Sequence, residues 1–277
     1  MGILNVTPDS FSDGGRFRDP DAAVAQGRRL LAAGADIIDI GGESTRPRSE
    51  PVGAEEEIER VQGVVARLAT EAGSAQLSID TSKAAVAETA IRAGATLVND
   101  VTALRGDAQM AALVGAHEVD CCLVHMRGEP RTMHEGLGGH TYDDVVSEVK
   151  AFLEERLAFA VREGVQEHRI LLDPGIGFGK TASHNLELLR RLDELAALGR
   201  PIVIGTSRKS FLGRLAPSRP GPEGRLPGTI ATNVLAYERG ASVFRVHDVA
   251  AVRDALALAA ATLGRPWTQT AATTART

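Results

Sequence analysis

Acids, amides and cations recur in this chain directly behind short apolar runs. In order they are Asn5, Glu43 with Thr45, Asp80, Asn99 with Asp100, His125, Asp173, Ser207 with Lys209, and Arg245 with His247. Their types divide into two chemical groups. Asp80, Asn99, Asp173 and Lys209 offer acceptors and donors for the polar edge of a flat nitrogen heterocycle, with Asp able to take two N–H bonds from a guanidine-like face, as a pterin presents. Asn5, Arg245 and His247 suit a phosphorylated group: Arg forks onto phosphate oxygens, and Asn adds one oxygen ligand to a Mg2+ held mainly by the phosphates. Together they describe a pocket for a heterocycle carrying pyrophosphate. Any one of them alone is an ordinary loop residue satisfying backbone groups.

The elements that must position these residues alternate along the chain. Apolar runs predict strands over 3–6, 36–40, 76–79, 96–98, 121–124, 170–172, 201–204 and 242–244. Helical periodicity is plain over 22–33, 55–68, 83–93, 142–162 and 184–198 and weaker over 107–114. Gly-Ala pairs at 34, 94 and 240 stand where helices should stop before the next strand. Strict alternation implies a parallel sheet, and eight units favour a closed (β/α)8 TIM barrel, whose chemistry belongs at the carboxyl ends of the strands. No Gly-x-Gly-x-x-Gly follows the first strand, as a dinucleotide fold would require. The stretch from Arg169 to Lys180 shows the pattern best: Ile170-Leu171-Leu172 ends in Asp173, and Pro174 with three alternating glycines stops the strand. Its Gly-Lys-Thr ending is not a P-loop, because Pro174 replaces the required glycine, and Lys180 reads as a solvated or phosphate-neutral lysine.

Composition limits the partners. The 277 residues, 43% hydrophobic, suit one large core, a single domain over 1–265 with a disordered tail over 266–277. A net charge of −5 and the lack of a basic run argue against nucleic acid or anionic lipid, and no apolar stretch reaches the ~18 residues of a membrane span, so a cytoplasmic enzyme of small molecules is expected. Adjacent Cys121 and Cys122 match neither a disulfide framework nor a metal spacing and read as packing residues. His117, His134, His140, His168 and His184 have no metal-ligand spacing and read as surface or packing residues. Residues 217–227 read as an irregular loop.

Seven stretches carry a resemblance to the dihydropteroate synthase family: Met1 to Gly15, Gly41 to Pro47, Ile79-Asp80-Thr81, Val98-Asn99-Asp100, the Asp173 segment, Ser207-Arg208-Lys209-Ser210 and Arg245-Val246-His247. The resemblance implies a (β/α)8 barrel that, with Mg2+, joins 6-hydroxymethyl-7,8-dihydropterin diphosphate to 4-aminobenzoate and releases pyrophosphate. It implies that Asp80, Asn99, Asp173 and Lys209 hold the pterin with Met126 against its ring, and that Asn5, Thr45, Arg245 and His247 hold diphosphate and metal. The aminobenzoate would lie between Pro47, Phe178 and the stem of Lys209, its carboxylate at the Ser210 helix end, with Arg46 and Phe11 on closing loops. Arg245 and His247 would then neutralise the departing pyrophosphate, and the loops at 9–15 and 44–47 would act as a lid against water. The family also implies a homodimer through late barrel helices and sensitivity to sulfonamides that mimic 4-aminobenzoate. The chain departs from the family pattern in having Arg48 where Gly is usual and in starting at the first barrel strand, without the usual N-terminal hairpin. A corrinoid-linked methyltetrahydrofolate methyltransferase would share the barrel and the Asp/Asn set but has no use for Ser-Arg-Lys-Ser and Arg-x-His. A non-catalytic pterin-binding paralogue would be expected to lack some of Asn5, Lys209, Arg245 or His247, and none is lacking.

Overall fold

In the computed structural model, residues 1–7, 20–44, 51–128, 141–216 and 221–265 are described. Eight parallel strands follow in sequence order: β1 (Gly2–Asn5), β2 (Ile37–Gly41), β3 (Gln76–Asp80), β4 (Leu97–Asp100), β5 (Asp120–Val124), β6 (Ile170–Asp173), β7 (Ile202–Ile204) and β8 (Ala241–Phe244). The sheet closes on itself: Ile3 N–H donates to Val246 O (3.0 Å) and Val246 N–H to Met1 O (2.9 Å). Helices α1 (Pro20–Ala32), α2 (Ala54–Ala69), α3 (Ala84–Arg92), α4 (Met110–His117), α5 (Val145–Arg162), α6 (Ala182–Arg190), α7 (Leu192–Ala196), α8 (Ser210–Leu215), α9 (Leu226–Glu238) and α10 (Val249–Leu263) occupy the connections. The eight expected strands are all present, each within a residue or two of its expected bounds. Among the described residues no helix is long and apolar enough to cross a membrane.

The period of two along each strand separates two cores. Outward residues such as Leu4, Ile38, Ile40, Ile79, Val98, Cys121, Leu123, Leu172 and Ile204 pack beneath the helices, while Met1, Ile37, Leu97, Cys122, Val124, Leu171 and Val203 fill the barrel interior. Adjacent Cys121 and Cys122 thus serve opposite faces, both buried and both free thiols. Leu172, fully buried in the outer layer, is the kind of residue whose truncation to Ala costs about 2–5 kcal/mol.

Towards the carboxyl ends the inward positions change from apolar to polar. The register aligns Asn5 with Gly41, Gly41 with Asp80, and Asp80 with Asn99, so one rung of the barrel carries three of the expected site residues.

Three expectations about elements are corrected. The single helix expected over 184–198 is two, α6 and α7, broken at Arg191, whose guanidinium is pulled onto Asp144 and Glu194. Thr181 starts α6 early by capping His184 N–H while the His184 ring accepts from Thr181 N–H. The loop expected over 217–227 ends sooner, because Leu226 and Pro227 open α9; a proline in the first turn has no helical N–H bond to lose. Residues 217–220, like the tail 266–277, lie outside the described residues.

Candidate active site

Charge converges at the carboxyl mouth of the barrel. Arg245, the inward residue just past β8, donates from Nε to Asp39 (2.6 Å) and from Nη2 to Asp80 (2.6 Å). Asp39 is fully buried and accepts in addition from Ser78 Oγ (2.5 Å) and Asn99 Nδ2 (3.0 Å). Two acids thus surround one guanidinium. Burial depresses the Arg245 guanidinium's affinity for its proton, but Asp39 and Asp80 more than offset this and leave it above its ordinary value. Asp80 is pushed up to about 7 by burial, opposed by Arg245 and reinforced by Asp39.

On the far side, Asp173 ends β6 and is fixed by the ladder: His125 N–H donates to its carbonyl (2.9 Å), and its Oδ1 accepts from Gly175 N–H (2.7 Å). Burial raises its carboxyl, while Lys209, Gly175 N–H and Arg245 pull it back. Lys209 faces it from the β7 exit; burial lowers its ammonium to about 8, with Asp173 opposing that fall. Lys209 Nζ donates to Ile176 O and lies 4.7 Å from the centre of the Phe178 ring. Gly175 and Gly179, both at positive φ, let this loop lie flat on the β5 exit: a Cβ there would fall 1.7 Å from His125 O and 2.3 Å from Arg127 O.

Lys180 is not solvated. Only 3% exposed, its Nζ lies 2.8 Å from His125 Nδ1 and donates to Gly175 O (3.0 Å) and Phe178 O (3.1 Å). Burial holds its ammonium well below the ordinary lysine range, and the neighbouring His125, lowered to about 2 by burial and by Lys180, is neutral.

A second pair lies beside the first. His247 Nδ1 is 3.0 Å from Ser207 Oγ, and His247 N–H donates to the same oxygen (3.1 Å). Arg208, in a left-handed conformation, forks onto Asp248 (3.0 and 2.6 Å), which turns Lys209 inward and leaves Ser210 exposed at the start of α8. Two acids at strand ends do other work. Asp100 accepts from Thr102 N–H, Thr102 Oγ1 and Leu104 N–H and builds the turn after β4. Glu43 takes Lys83 Nζ (2.6 Å) and Val52 N–H (3.0 Å), and Lys83 also reaches the buried Glu57 (2.6 Å), so the two ends of the second loop are tied together.

Asp80, Asn99, Asp173, Lys209, Phe178 and Arg245 therefore line one mouth, with Asn5 half-buried on the same rung as Asp80, and with Met126 buried in the interior layer against which Phe178 packs. Arg245, expected among the phosphate group, is held by Asp80 of the heterocycle group and by Asp39, which belongs to neither. Thr45, Arg46, Pro47, Arg48 and Phe11 lie outside the described residues, as do His134 and His140. His117 and His168 are exposed, and His184 belongs to the α6 cap. Asp39 lies within an apolar run and not behind it, so its signal in the sequence is an acid on the inward phase of the strand, two residues before Gly41. Among the described residues no group of three or more His, Cys, Asp or Glu side chains could hold a metal. A lone Asn5 amide fits a Mg2+ only if the ion arrives with diphosphate oxygens.

Comparison with known proteins bears on this geometry. A family model described as pterin binding enzyme matches residues 1–247. The dihydropteroate synthase of Escherichia coli strain K12 is 44% identical over 265 residues, 95% of this chain and 91% of that protein. Among solved structures, Xanthomonas albilineans dihydropteroate synthase with 4-aminobenzoic acid superposes with a TM-score of 0.88 at 46% identity, covering 96% of this chain and 93% of that one. The same enzyme in complex with 7,8-dihydropteroate gives 0.85 at 44% identity, with 96% and 93% covered.

Proposed function

This chain belongs to the pterin-binding enzyme family as a dihydropteroate synthase, and from that premise we infer how its barrel mouth divides the work. The reaction is a transferase step of folate biosynthesis: 6-hydroxymethyl-7,8-dihydropterin diphosphate and 4-aminobenzoate give 7,8-dihydropteroate and pyrophosphate. Asp173, Asp80 and Asn99 take the polar edge of the pterin, with Met126 against its ring. Asn5, Thr45, Arg245 and His247 take the diphosphate; Phe178, Pro47, Arg46, the Lys209 stem and Ser210 receive the aminobenzoate.

The observation that carries this division is the Arg245 guanidinium between Asp39 and Asp80. Those two bonds use two of its five N–H donors and leave three for a ligand. Arg245 then meets diphosphate oxygens while anchored to the acid that meets the pterin, so the bond to be broken lies over a fixed charge. As the C–O bond breaks, its electron pair leaves with pyrophosphate, and Arg245 and His247 stabilise that charge. The methylene carbon becomes cationic, its charge shared by the electron-rich dihydropterin and opposed by buried Asp39, Asp80 and Asp173. The aminobenzoate nitrogen forms the new C–N bond and releases a proton to water. No covalent bond to the protein is needed. Mg2+, held by the diphosphate and Asn5, would supply further charge neutralisation on the leaving group.

The enzyme is a cytoplasmic homodimer in this reading. The free, buried thiols of Cys121 and Cys122 accord with a reducing compartment. Leu235 on α9 and Leu258 and Leu263 on α10 are 47%, 71% and 39% exposed, an apolar surface that a second copy would cover. A site that accepts 4-aminobenzoate would also accept sulfonamides of the same shape.

Arg245→Lys tests the division, since it keeps the charge and removes the fork. Turnover should fall by about a hundredfold, with the KM for 4-aminobenzoate within about threefold of the wild-type value. Unchanged turnover would remove Arg245 from the leaving-group site.

A further inference from the structure

The family reaction assigns no task to Lys180 or His125, yet their contact is among the most buried polar contacts at the mouth. The loop between Asp173 and Thr181 runs between two lysines. From the front, Lys209 takes the carbonyl of Ile176; from behind, Lys180 takes those of Gly175 and Phe178. Lys180 Nζ thus meets Gly175 O, Phe178 O and His125 Nδ1, with His125 O farther off at 3.5 Å. With Lys180 as the donor to Nδ1, the His125 proton sits on Nε2, and the ring lies edge-on to Phe152, centroids 4.7 Å apart. Few other bonds hold the loop: Phe178 N–H to Gly175 O (3.0 Å) within it, and Gly177 N–H to Asn185 Oδ1 (2.7 Å) at its back. The Asp173 backbone, by contrast, is fixed by the β5 ladder, while its carboxylate accepts from Gly175 N–H at the start of the loop.

We propose that Lys180, oriented by His125, is the positioning residue that shapes the β6–α6 loop so that the Phe178 ring stands against Lys209 as the wall for 4-aminobenzoate. Without the ammonium, the carbonyls of Gly175 and Phe178 and the His125 nitrogen lose their shared donor in a buried place, and they re-aim to find others. The ring moves with the Phe178 backbone. The pterin end changes far less than the wall, because the strand carries Asp173 and only the Gly175 N–H of the loop touches its carboxylate. The proposal rests on the reading of Phe178 and Lys209 as the aminobenzoate wall.

The experiment compares steady-state constants for both substrates in three sets of variants of the full chain. Lys180→Met should raise the KM for 4-aminobenzoate at least about tenfold and leave that for the pterin diphosphate within about threefold, a split that general destabilisation would not produce. An unchanged 4-aminobenzoate KM, or equal rises for both substrates, would overturn the proposal. His125→Asn keeps an acceptor at the Nδ1 position, whereas His125→Leu removes it; the first should stay near the wild-type KM for 4-aminobenzoate and the second should rise with Lys180→Met. This pair decides the matter if Lys180→Met does not fold, and identical behaviour of the two would count against Lys180. Phe178→Ala separates the two levels. If it alone raises the 4-aminobenzoate KM, the wall stands and Lys180 does not shape it; if it leaves that KM unchanged, the wall itself is misread.

Discussion

Asp173 and Lys209 oppose each other across the mouth, and each offsets part of what burial does to the other. An ionised Asp173 accepts a charge-assisted pair of N–H bonds from a pterin, which Asn cannot reproduce because one of its two groups is a donor. Asp173→Asn should therefore weaken binding of a diphosphate-free pterin by at least ~1.5 kcal/mol, read by calorimetry; equal affinities would take Asp173 out of the pterin site. Lys209 is cationic only below its lowered value of about 8. A function that needs the cation is complete below that pH and lost above it, so kcat/KM should decline on the alkaline side with Lys209 as the cause. Lys209→Arg should move that decline to higher pH, and an alkaline limb that stays in place would assign it to another group. Both residues are legible in the sequence, Asp173 directly behind an apolar run and Lys209 in the Ser-Arg-Lys-Ser stretch five residues past the next one. Asp39 was not, because it lies within a run, and Lys180 was misread because its partners are two backbone carbonyls and a histidine 55 residues away.

Between α2, β2 and α3 a single lysine holds two acids. Lys83 closes α2 onto the start of the second loop by pairing with Glu43 and with Glu57, which is fully buried. Burial raises the Glu57 carboxyl and Lys83 opposes that rise. Lys83→Met should leave Glu57 without its cation and lower stability by roughly 2 kcal/mol, a fall in Tm of about 5 °C by thermal melting. Adding Glu57→Leu should recover most of the loss, since a removed pair is far less damaging than a broken one. A double variant no more stable than the single would mean Lys83 matters through Glu43 alone. The strands could be read here because both their faces are buried and their ends are marked by polar residues. The helices α9 and α10 could not be bounded the same way: Leu226–Glu238 and Val249–Leu263 are apolar or small on nearly every side. With little amphipathic contrast, periodicity has nothing to report.

Over the whole molecule, one barrel end gathers the chemistry and the late helices leave apolar surface uncovered. If α9 and α10 meet a second copy there, Leu258→Lys should shift the sedimentation coefficient from dimer to monomer, and an unchanged value would place the contact elsewhere. The barrel itself followed from counting alternations, whereas the convergence of Asp39, Asp80 and Arg245 depended on closure between β8 and β1, which no local stretch encodes. The most direct measurement follows both products from 6-hydroxymethyl-7,8-dihydropterin diphosphate and 4-aminobenzoate in the presence of Mg2+. The proposed reaction predicts one pyrophosphate for each 7,8-dihydropteroate and no pyrophosphate above background when the amine is left out, since the amine and not water takes the methylene carbon. Pyrophosphate released without dihydropteroate, or neither product at any concentration of the pair, would contradict it.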